Sequence, residues 1–588
     1  MRHWYLEHPA RVAHEVAAIE ALLDTGTWLL ECRWSLAGEL CLEAVIRAHD
    51  QDYAVRMTYP PLFPAILPII RPARLEPRWS GHQYGPHGEL CLEWGPDNWH
   101  PGVTGAQMLE SAHRLLLIEN PHAAIDGQGW TVAPSRHTLS IGQELVGKYG
   151  RYYIGNALRP KLASLTDGAG GKFLFSTQHR EVSWIAFVYE ITIRVPEDRI
   201  IDPVIPRFLR ESRGGVSLRE GAFIRTTIDP ASLRGITRFA DIEAILMATG
   251  YVKAPLVDLG GGGLLGLLII DRTGDTHMFI VFDDGGVLAL APIVDEAESA
   301  ARAPQRGGLA SVRVGIVGLG SAGSKIAVSL ARMGIRSFFL IDHDVFLPGN
   351  IARNALDWGN VGEHKVDAVL AELGRISAGI DADVSHLHLT GQESTAVVSN
   401  ALEKLGGCDL IIDATANPTV FGVLAAVAMV HEKPLVWLAV YAGGIGGLIA
   451  RSRPGLDIDP WGMQQAYRQY CDDHPAPELQ HVGDYSADGG DGEVLVASDA
   501  DVAIIAAHAA RLAVDTVSGS AASYPHSLYL IGLAARWVFT APFHTIPIAT
   551  DYLRHREVVP VDDREVSKGL LFVTGLQGEG SDAAATPA

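Results

Sequence analysis

A glycine-rich turn in the second half of the chain has the residue types that contact a nucleotide. The apolar run 312–317 leads into Gly318-Leu319-Gly320-Ser321-Ala322-Gly323, and a helical pattern follows. Glycines here let the backbone turn tightly and present N–H groups to phosphate oxygens at a helix N-terminus. About 20 residues further on, Asp342 closes another apolar run, where a carboxylate can bind ribose hydroxyls. Taken alone, this fingerprint favours an NAD-dependent dehydrogenase.

Polar residues after the glycine-rich turn change that interpretation. Asp342-His343-Asp344 supplies an Asp-x-Asp pair, and Asn350-Ile351-Ala352-Arg353 supplies an Asn-x-x-Arg element. Gly362-Glu363-His364-Lys365 is a Gly-x-x-Lys element, and Asp413 closes a later apolar run. In this order the residues resemble the adenylation domain of ubiquitin-activating enzymes and of their bacterial relatives ThiF and MoeB.

The resemblance covers about residues 312–446 and the helical pattern at 501–517, and it implies ATP and Mg²⁺ at this site. Adenylation of a carboxylate builds negative charge on the α-phosphate and on the departing pyrophosphate, so catalysis depends on positioning and neutralisation. By the family pattern, Arg353 and Lys365 supply positive charge and Asp413 ligates Mg²⁺. The implied nucleotide contacts are Gly318, Gly320, Gly323, Asp342 at the ribose, Asp344, Asn350 as a neutral donor, Arg353 and Lys365.

Arg353 and Lys365 also have a simpler interpretation, since most such residues are solvated charges on helix surfaces. Their joint occurrence in the family's order makes that interpretation the weaker one. Two departures from the family pattern are present. The two zinc-binding CxxC pairs of many members are absent, and Ala416-Asn417 stands where many members have Asp-Asn.

A second set of motifs lies near the N-terminus. Tyr59-Pro60-Pro61-Leu62-Phe63-Pro64, Gly88-Glu89-Leu90-Cys91-Leu92 and Trp99-His100-Pro101-Gly102-Val103-Thr104 follow one another. A Pro-rich turn, a Gly-x-x-Cys-Leu loop and a Trp-x-Pro-x-x-Thr element in this order resemble a ubiquitin-conjugating enzyme over about residues 1–120. The resemblance implies that Cys91 carries a thioester. Cysteine suits this role because its thiolate is strongly nucleophilic and the thioester stays reactive towards amines.

The His-Pro-Asn tripeptide of conjugating enzymes is missing. Gly81-His82-Gln83-Tyr84 stands at the comparable place. His82 or Gln83 is a candidate to donate a hydrogen bond to the developing oxyanion. The competing expectation is that a single loop histidine is exposed and has no such role.

The remaining cysteines are expected to be structural, with one exception left open. Cys32 and Cys41 lie within strand patterns, and Cys408 lies beside a core strand. Fused relatives usually have a Gly-Cys segment before the last helix, but residues 484–492 contain no cysteine. Cys471 is the nearest candidate for a first acyl acceptor, although adjacent acidic residues disfavour its thiolate. The alternative is that the N-terminal cysteine captures the acyl group directly.

The periodicity of apolar residues predicts an α/β and α+β multidomain chain. Residues 1–124 show helix, four-stranded meander, loop and helix, a ubiquitin-conjugating-like α+β order. Residues 306–576 predict a doubly wound, Rossmann-like adenylation domain. Residues 125–305 form a middle domain of unknown role, whose Gly260–Gly263 run predicts a turn rather than a phosphate loop. Residues 577–588 predict a disordered tail.

Composition narrows the functional class. A net charge of −21 over 588 residues argues against nucleic-acid binding, because phosphate contacts need clustered Lys and Arg. Five separated cysteines without a CxxC pair argue against a disulfide framework, which suits a reducing cytoplasm. The most apolar region, 414–450, is interrupted by prolines and charges and does not predict a membrane span.

A conjugating domain fused to an activating domain resembles the bacterial enzymes of antiphage CBASS operons. The resemblance implies a homodimer and an acceptor amine. It also implies a donor protein with a Gly-like C-terminal carboxylate, either a ubiquitin-like protein or a cGAS-like nucleotidyltransferase. Two other functions stay open. One is an adenylyltransferase for a sulfur carrier or peptide with a non-catalytic N-terminal domain, and the other is a non-catalytic scaffold that binds nucleotide or partner proteins.

Overall fold

A computed structural model gives the structure of the chain. It describes residues 3–74, 79–80, 82–84, 87–119, 140–193, 198–211, 216–251, 265–294, 308–475, 480–483, 486–488, 494–518, 523–550, 567–568 and 570. The predicted turn at 260–263 and tail at 577–588 lie outside these residues. The chain divides into two compact units, Met1–Val146 and Gly147–Ala588. The finer division into three domains and a tail stays a prediction.

Helices accompany an antiparallel sheet in the first unit. The helices are α1 (Trp4–Glu7), α2 (Pro9–Thr25), α3 (Gly105–Glu119) and α4 (Ile141–Glu144). The strands β1 (Leu29–Ala37), β2 (Glu39–Ala48), β3 (Gln51–Tyr59) and β4 (Ile69–Pro72) pair in chain order. A short hairpin of β5 (Gln83–Tyr84) and β6 (Glu89–Leu90) follows. Alternate residues of β3 are buried, as expected of a sheet with one face on a core.

The first unit has the predicted order of helix, meander, loop and helix. The fourth strand of the meander is the exception: the apolar pattern predicts it at Ala65–Ile70, but β4 begins only at Ile69. Pro64 and Pro68 cannot donate to a strand ladder, so the residues between them form turns before the strand starts. Local proline chemistry therefore overrides apolar pattern at this position.

The second unit begins with a sheet whose two ends meet. Its strands are β7 (Gly150–Ile154), β8 (Gly170–His179), β9 (Trp184–Thr192), β10 (Arg199–Ile201), β11 (Val216–Arg225), β12 (Leu265–Ile270), β13 (Thr276–Val281), β14 (Val287–Ala289) and β15 (Ala291–Ile293). They pair in the order β14-β13-β12-β11-β8-β9-β7-β15, with β10 on β9. Only Leu290 separates β14 from β15, so the segment 287–293 supplies both end strands. Two helices, α5 (Arg159–Ala163) and α6 (Phe239–Ala248), lie in the same part of the chain.

An eight-stranded sheet forms the second part of this unit. Its strands are β16 (Arg313–Val317), β17 (Ser337–Ile341), β18 (Asp381–Ser385), β19 (Leu410–Asp413), β20 (Leu435–Val440), β21 (Gly446–Ser452), β25 (Leu528–Gly532) and β26 (Thr545–Pro547). They lie in the order β18-β17-β16-β19-β20-β21-β25-β26. The first five of this order are parallel and the last three are antiparallel. Three further strands, β22 (Gln480–Gly483), β23 (Ser486–Asp488) and β24 (Val494–Val496), form a small sheet of their own.

Helices connect the parallel strands, as the doubly wound prediction requires. Those between parallel strands are α7 (Ser321–Met333), α8 (Lys365–Ile376), α9 (Thr395–Gly406) and α10 (Pro418–Val430). Two further helices, α11 (Pro460–Asp473) and α12 (Asp499–Val517), follow β21 and β24. Apart from their first residues, β16 and β17 are buried throughout, which is typical of parallel strands covered on both faces. None of the helices in the described residues has the length and apolar character needed to cross a bilayer.

Candidate active site

The glycine-rich loop joins the end of β16 to the start of α7. Gly318 has a φ of +85°, a left-handed conformation that glycine adopts readily. A Cβ on Gly323 would lie 1.8 Å from the Gly318 oxygen, so any side chain there collides with the loop. A Cβ on Gly320 would have no described atom within 4 Å. The loop therefore has an open face at the N-terminus of α7, where free N–H groups attract anions.

Asp342 follows β17 and fastens this loop. Its Oδ2 accepts a hydrogen bond from the Leu319 N–H at 2.6 Å, and its Oδ1 accepts one from the Asp344 N–H at 2.8 Å. Asp342 is 9% exposed. Because each carboxylate oxygen can accept more than one hydrogen bond, these two contacts leave acceptor capacity for a ligand hydroxyl.

Asp344 and Lys365 lie together at the start of α8. Lys365 Nζ is 2.7 Å from Asp344 Oδ2, and the Lys365 N–H donates to the Asp344 carbonyl oxygen at 2.9 Å. Burial raises the pKa of Asp344, but the Lys365 ammonium and the nearby His343 and His388 lower it by more, so the pKa lies below its usual value. Lys365 is 8% exposed, so it is not a solvated charge on a helix surface.

Asn350 and Arg353 lie in the segment between β17 and α8. Asn350 Oδ1 accepts a hydrogen bond from the Leu347 N–H at 2.9 Å, which holds a short turn. The Arg353 carbonyl oxygen accepts a hydrogen bond from Lys325 Nζ at 2.8 Å. Both Asn350 and Arg353 are half-buried. The backbone that carries Arg353 is therefore anchored to α7.

Lys325 is a residue of this site that the sequence analysis missed. Its Nζ also forms an ion pair with Asp499 Oδ1 at 2.7 Å, and its side chain is 14% exposed. One ammonium therefore joins the helix after the glycine-rich loop, the Arg353 segment and the first residue of α12. The available signal was its place two residues after Gly323, on the helix that starts at the loop.

Asp413 ends β19, and its register partner is Val317 at the end of β16. Its Oδ1 accepts hydrogen bonds from the Thr415 N–H at 2.9 Å and from the Thr415 hydroxyl at 2.6 Å. Burial raises the pKa of Asp413 to about 6, although the two bonds from Thr415 lower it. Within the described residues, no donor reaches Oδ2. A buried carboxylate with an available oxygen suits a cation, because nearby positive charge favours the ionised form.

These residues meet at one edge of the parallel sheet. β17 lies on one side of β16 and β19 lies on the other, so a crevice opens at the carboxyl ends of the strands. The glycine-rich loop, Asp342 and Asp413 follow or end these three strands. The arrangement combines N–H groups for an anion, a nearby lysine and a carboxylate for a cation. A metal-bound phosphate ester requires the same set of groups.

In the first unit, Cys91 directly follows β6 and is half-buried. Its N–H donates to the His82 carbonyl oxygen at 2.7 Å. His82 Nδ1 lies 2.7 Å from Glu119 Oε1, and the two side chains are 14% and 1% exposed. The expectation of an exposed histidine is therefore wrong, because a buried carboxylate at the end of α3 binds its ring.

Gln83, the other oxyanion candidate, is engaged by the loop itself. Its Oε1 accepts hydrogen bonds from the Trp79 N–H at 2.8 Å and the Ser80 N–H at 3.3 Å. Its Nε2 donates to the Gly88 carbonyl oxygen at 3.0 Å, and the residue is 4% exposed. Gln83 therefore braces the loop that precedes Cys91.

The other cysteines have the environments of structural thiols. Burial raises the pKa of Cys32 to about 11 and also raises the pKa of Cys408. Burial and a neighbouring aspartate raise the pKa of Cys471, and a tyrosine hydrogen bond offsets only part of this. Of residues 484–492, the structure describes only Ser486–Asp488. The two alternatives, Cys471 as a first acyl acceptor and direct capture by Cys91, both stay predictions, and the raised pKa of Cys471 favours the second.

Comparison with known proteins identifies the family of the chain. Residues 297–465 match the ThiF family. The uncharacterized protein y4qC of Sinorhizobium fredii is 31% identical over 437 residues, which cover 69% of this chain and 71% of y4qC. This chain belongs to the ThiF family. Its eight-stranded mixed sheet is the ThiF/MoeB-like adenylation fold.

The ThiF-family match contains the predicted nucleotide and metal contacts from Gly318 to Asp413, whereas Cys91 and Cys471 lie outside it. Two other relatives match shorter stretches. The ATP-dependent ubiquitin transferase-like protein Cap2 of Enterobacter hormaechei is 35% identical over 130 residues, which cover 22% of this ThiF-family chain and 21% of Cap2. The adenylyltransferase and sulfurtransferase uba4 of Aspergillus terreus is 34% identical over 129 residues, 22% of this chain and 25% of uba4.

Proposed function

We propose that this chain adenylates the C-terminal carboxylate of a partner protein with ATP, captures the acyl group on Cys91 and transfers it to an acceptor amine. One observation carries the first step. The glycine-rich loop, the lysine beside Asp344 and the buried Asp413 belong to the same edge of a parallel sheet. The similarity to proteins named as a ubiquitin transferase-like protein and as an adenylyltransferase supports the same chemistry.

The adenylation step depends on charge neutralisation around a fixed phosphate. A carboxylate oxygen of the donor attacks the α-phosphorus of ATP, and the bond to pyrophosphate breaks. N–H groups at the start of α7 hold phosphate oxygens at the open face beside Gly320. Lys365 and Arg353 offset the charge that builds on the phosphates, and Asn350 adds a neutral donor. Asp342 accepts hydrogen bonds from the ribose with the capacity that its backbone contacts leave.

Asp413 is the residue that would hold Mg²⁺. Its pKa of about 6 reflects the penalty that burial places on its charge, and its Oδ2 has no donor in the described residues. Both properties fit a divalent cation with oxygen ligands, which in nucleotide sites is bound by one or two carboxylates and by phosphates. When bound, Mg²⁺ neutralises charge on the phosphates of ATP.

Cys91 is the proposed acyl carrier because the first unit resembles a ubiquitin-conjugating enzyme. The order of helix, four-stranded meander, cysteine loop and helix supports that fold for the first unit. Covalent linkage of the two activities raises the effective concentration of Cys91 near the acyl adenylate. The thioester then reacts with an amine, and the Cys91 thiol is released.

The proposed setting is antiphage defence of the CBASS type in the cytoplasm, with the chain acting as a homodimer. The donor is a ubiquitin-like protein or a cGAS-like nucleotidyltransferase with a Gly-like C-terminus. The similarity to Cap2 supports the transferase part of this proposal.

The similarity to uba4 favours a second candidate function. In this case the chain adenylates a sulfur carrier or a peptide, and the first unit only binds that substrate. The two candidates share the adenylation site and differ at Cys91, which carries an acyl group in the first and none in the second. A non-catalytic scaffold differs from both because it forms no adenylate.

Adenylation is tested by ATP–pyrophosphate exchange with the full chain and candidate C-terminal peptides. Asp413→Asn should abolish Mg²⁺-dependent exchange, whereas Asp381→Asn on the exposed edge strand β18 should not. If the wild-type chain binds NADH tightly but neither binds ATP nor catalyses exchange, the adenylation proposal is contradicted. If Asp413→Asn catalyses exchange at the wild-type rate, Asp413 is not a ligand of Mg²⁺.

The acyl carrier is tested by trapping. Cys91→Ser should retain the donor as a more stable oxyester, which mass spectrometry of the isolated protein would identify. Cys91→Ala is the matched control and should retain none. Active exchange with no adduct on Cys91→Ser would favour the sulfur-carrier function.

A further inference from the structure

His82 and Cys91 are opposed residues of one hairpin. β5 and β6 pair with Gln83 opposite Leu90, so the same register places His82 opposite Cys91. The 2.7 Å hydrogen bond from the Cys91 N–H to the His82 carbonyl oxygen extends the pairing to this position. Directly opposed residues of an antiparallel pair have their side chains on one face, with Cβ atoms about 5 Å apart. The imidazole and the thiol therefore share a face of the hairpin.

Glu119 holds the His82 ring. His82 Nδ1 lies 2.7 Å from Glu119 Oε1, and the Glu119 side chain is 1% exposed. A carboxylate oxygen accepts hydrogen bonds, so a neutral His82 ring that donates its Nδ1–H to Glu119 carries its lone pair on Nε2. A nucleophile, a neighbouring base and a carboxylate that orients the base are the elements of a catalytic triad.

We propose that His82 is the general base that activates Cys91, and that Glu119 is the positioning residue for His82. The proposal rests on the proposed function, in which Cys91 takes an acyl group from an adenylate. The Cys91 S–H bond breaks as its proton passes to His82 Nε2, and the sulfur electron pair attacks the acyl carbon. The acyl C–O bond to the phosphate breaks and AMP leaves with that electron pair. His82 then releases the proton to solvent.

Other charged groups lie on the hairpin and on α3. Glu89 and the exposed His87 lie on the hairpin before Cys91. Glu93 follows Cys91 by two residues and forms an ion pair with Arg114 of α3 at 2.5 Å. Glu119 is the carboxylate of α3 that lies within hydrogen-bond distance of the His82 ring. A purely structural tie between the hairpin and α3 predicts no effect of this pair on the reactivity of the thiol.

The test is the rate at which iodoacetamide alkylates Cys91 in the folded full chain, read by mass spectrometry of the Cys91 peptide across a pH series. The wild-type rate should begin to rise at a lower pH than the rate of His82→Gln, because the variant has no base beside the thiol. At neutral pH the variant should react about tenfold more slowly. Glu119→Gln keeps the ring contact but removes the charge, so its profile should lie between the two.

The other thiols of the same sample are internal controls. Alkylation of Cys471 should be unchanged in every variant, and protection of the buried Cys41 reports that the first unit is folded. If His82→Gln unfolds this unit, His82→Asn replaces it in the same assay. A wild-type rate and pH profile in a folded His82 variant would overturn the proposal, and a wild-type profile in Glu119→Gln would overturn the positioning role.

Alkylation uses neither ATP nor donor, so its outcome is separate from that of the proposed function. An ATP-dependent adduct on Cys91 tests the acyl carrier. If alkylation depends on His82 and no such adduct forms, the acyl-carrier proposal fails and the His82–Cys91 pair stands. If the adduct forms at the same rate in His82→Gln, the general-base proposal fails and the acyl carrier stands.

Discussion

Lys365 Nζ lies 2.7 Å from Oδ2 of Asp344, and the Lys365 N–H donates to the carbonyl oxygen of the same aspartate. Two bonds to one residue hold the ammonium at the first position of α8, in a nearly buried setting. A charge-assisted bond of this kind is strong, so the lysine keeps its place before any ligand arrives. The Lys365 ammonium can then interact both with Asp344 and with an anion that binds beside it.

Lys365→Met should lower ATP–pyrophosphate exchange by about 100-fold or more, because a fixed charge near the developing negative charge is removed. Lys404→Met, at an exposed position of α9, is the matched control and should exchange normally. Equal rates in both variants would show that Lys365 serves only Asp344.

Gly320 and Gly323 should differ in their roles: Gly323 is needed for the loop to fold, and Gly320 is needed for ATP to bind. Gly323→Ala should fold poorly or lose the loop, because its Cβ would lie 1.8 Å from the Gly318 oxygen. Gly320→Ala should fold normally, because no described atom lies within 4 Å of its Cβ, yet bind ATP at least about tenfold more weakly. Isothermal titration with a non-hydrolysable ATP analogue measures this, and unchanged affinity in Gly320→Ala would place the phosphates elsewhere.

Asp413 should make metal-free stability fall as pH rises. Its folded pKa of about 6 is above the usual carboxyl value of about 3.9, so the folded state binds the proton more tightly. The stabilising contribution is present below about pH 4 and is lost as pH rises through about 6, a change of about 3 kcal/mol. Asp413→Asn stays neutral, so it should be more stable than the wild type above about pH 6.

Urea unfolding of the two chains across this pH range, without Mg²⁺, measures the difference. Asp381→Asn, on an exposed strand, is the control and should follow the wild type. A constant difference between wild type and Asp413→Asn at every pH would contradict the raised pKa.

Glu15 should control the stability of the first unit alone. Its Oε2 accepts hydrogen bonds from the Tyr59 hydroxyl at 2.8 Å and the Gly105 N–H at 2.7 Å, and its Oε1 lies 2.8 Å from Arg11. Glu15→Ala leaves buried partners unpaired, which should cost about 3–5 kcal/mol. Calorimetry should show a lower transition for this unit with unchanged ATP binding. Loss of ATP binding in the variant would show that the two units do not fold separately.

Cys471 should not carry an acyl group. Because its pKa is raised, little thiolate is present at neutral pH. Cys91→Ala, incubated with ATP and donor and run on a non-reducing gel, should show no thiol-sensitive adduct. Cys471→Ala should load Cys91 normally, which would establish direct capture from the adenylate. An adduct in Cys91→Ala that disappears on adding Cys471→Ala would instead support a two-cysteine relay.

The long elements of the fold could be predicted from the sequence because their patterns are local. The apolar run Leu435–Val440 predicts a buried strand, and the amphipathic pattern Asp499–Val517 predicts a helix. The structure has both elements with these bounds, since apolar periodicity and caps mark their ends. The segment Ala65–Ile70 could not be assigned from apolar content, because its prolines decide where pairing starts.

The position of the site in the fold could be predicted from the sequence, but the side-chain contacts of its residues could not. Motif order and parallel strands place Gly318 and Asp413 at one sheet edge. The contact between His82 and Glu119 joins elements that are distant in the chain, and local periodicity contains no information on such contacts. The same holds for Lys325, whose contacts with other elements depend on tertiary packing.

Asp342 has an effect on when the glycine-rich loop becomes ordered. Glycines lose more conformational entropy on ordering than any other residue, so a loop of this composition would bind weakly if the ligand had to order it. The Asp342 carboxylate already holds the Leu319 N–H at 2.6 Å, which restricts the loop as the chain folds. The loss of entropy that ordering the loop requires therefore occurs during folding, and the loop is preorganised when a nucleotide binds.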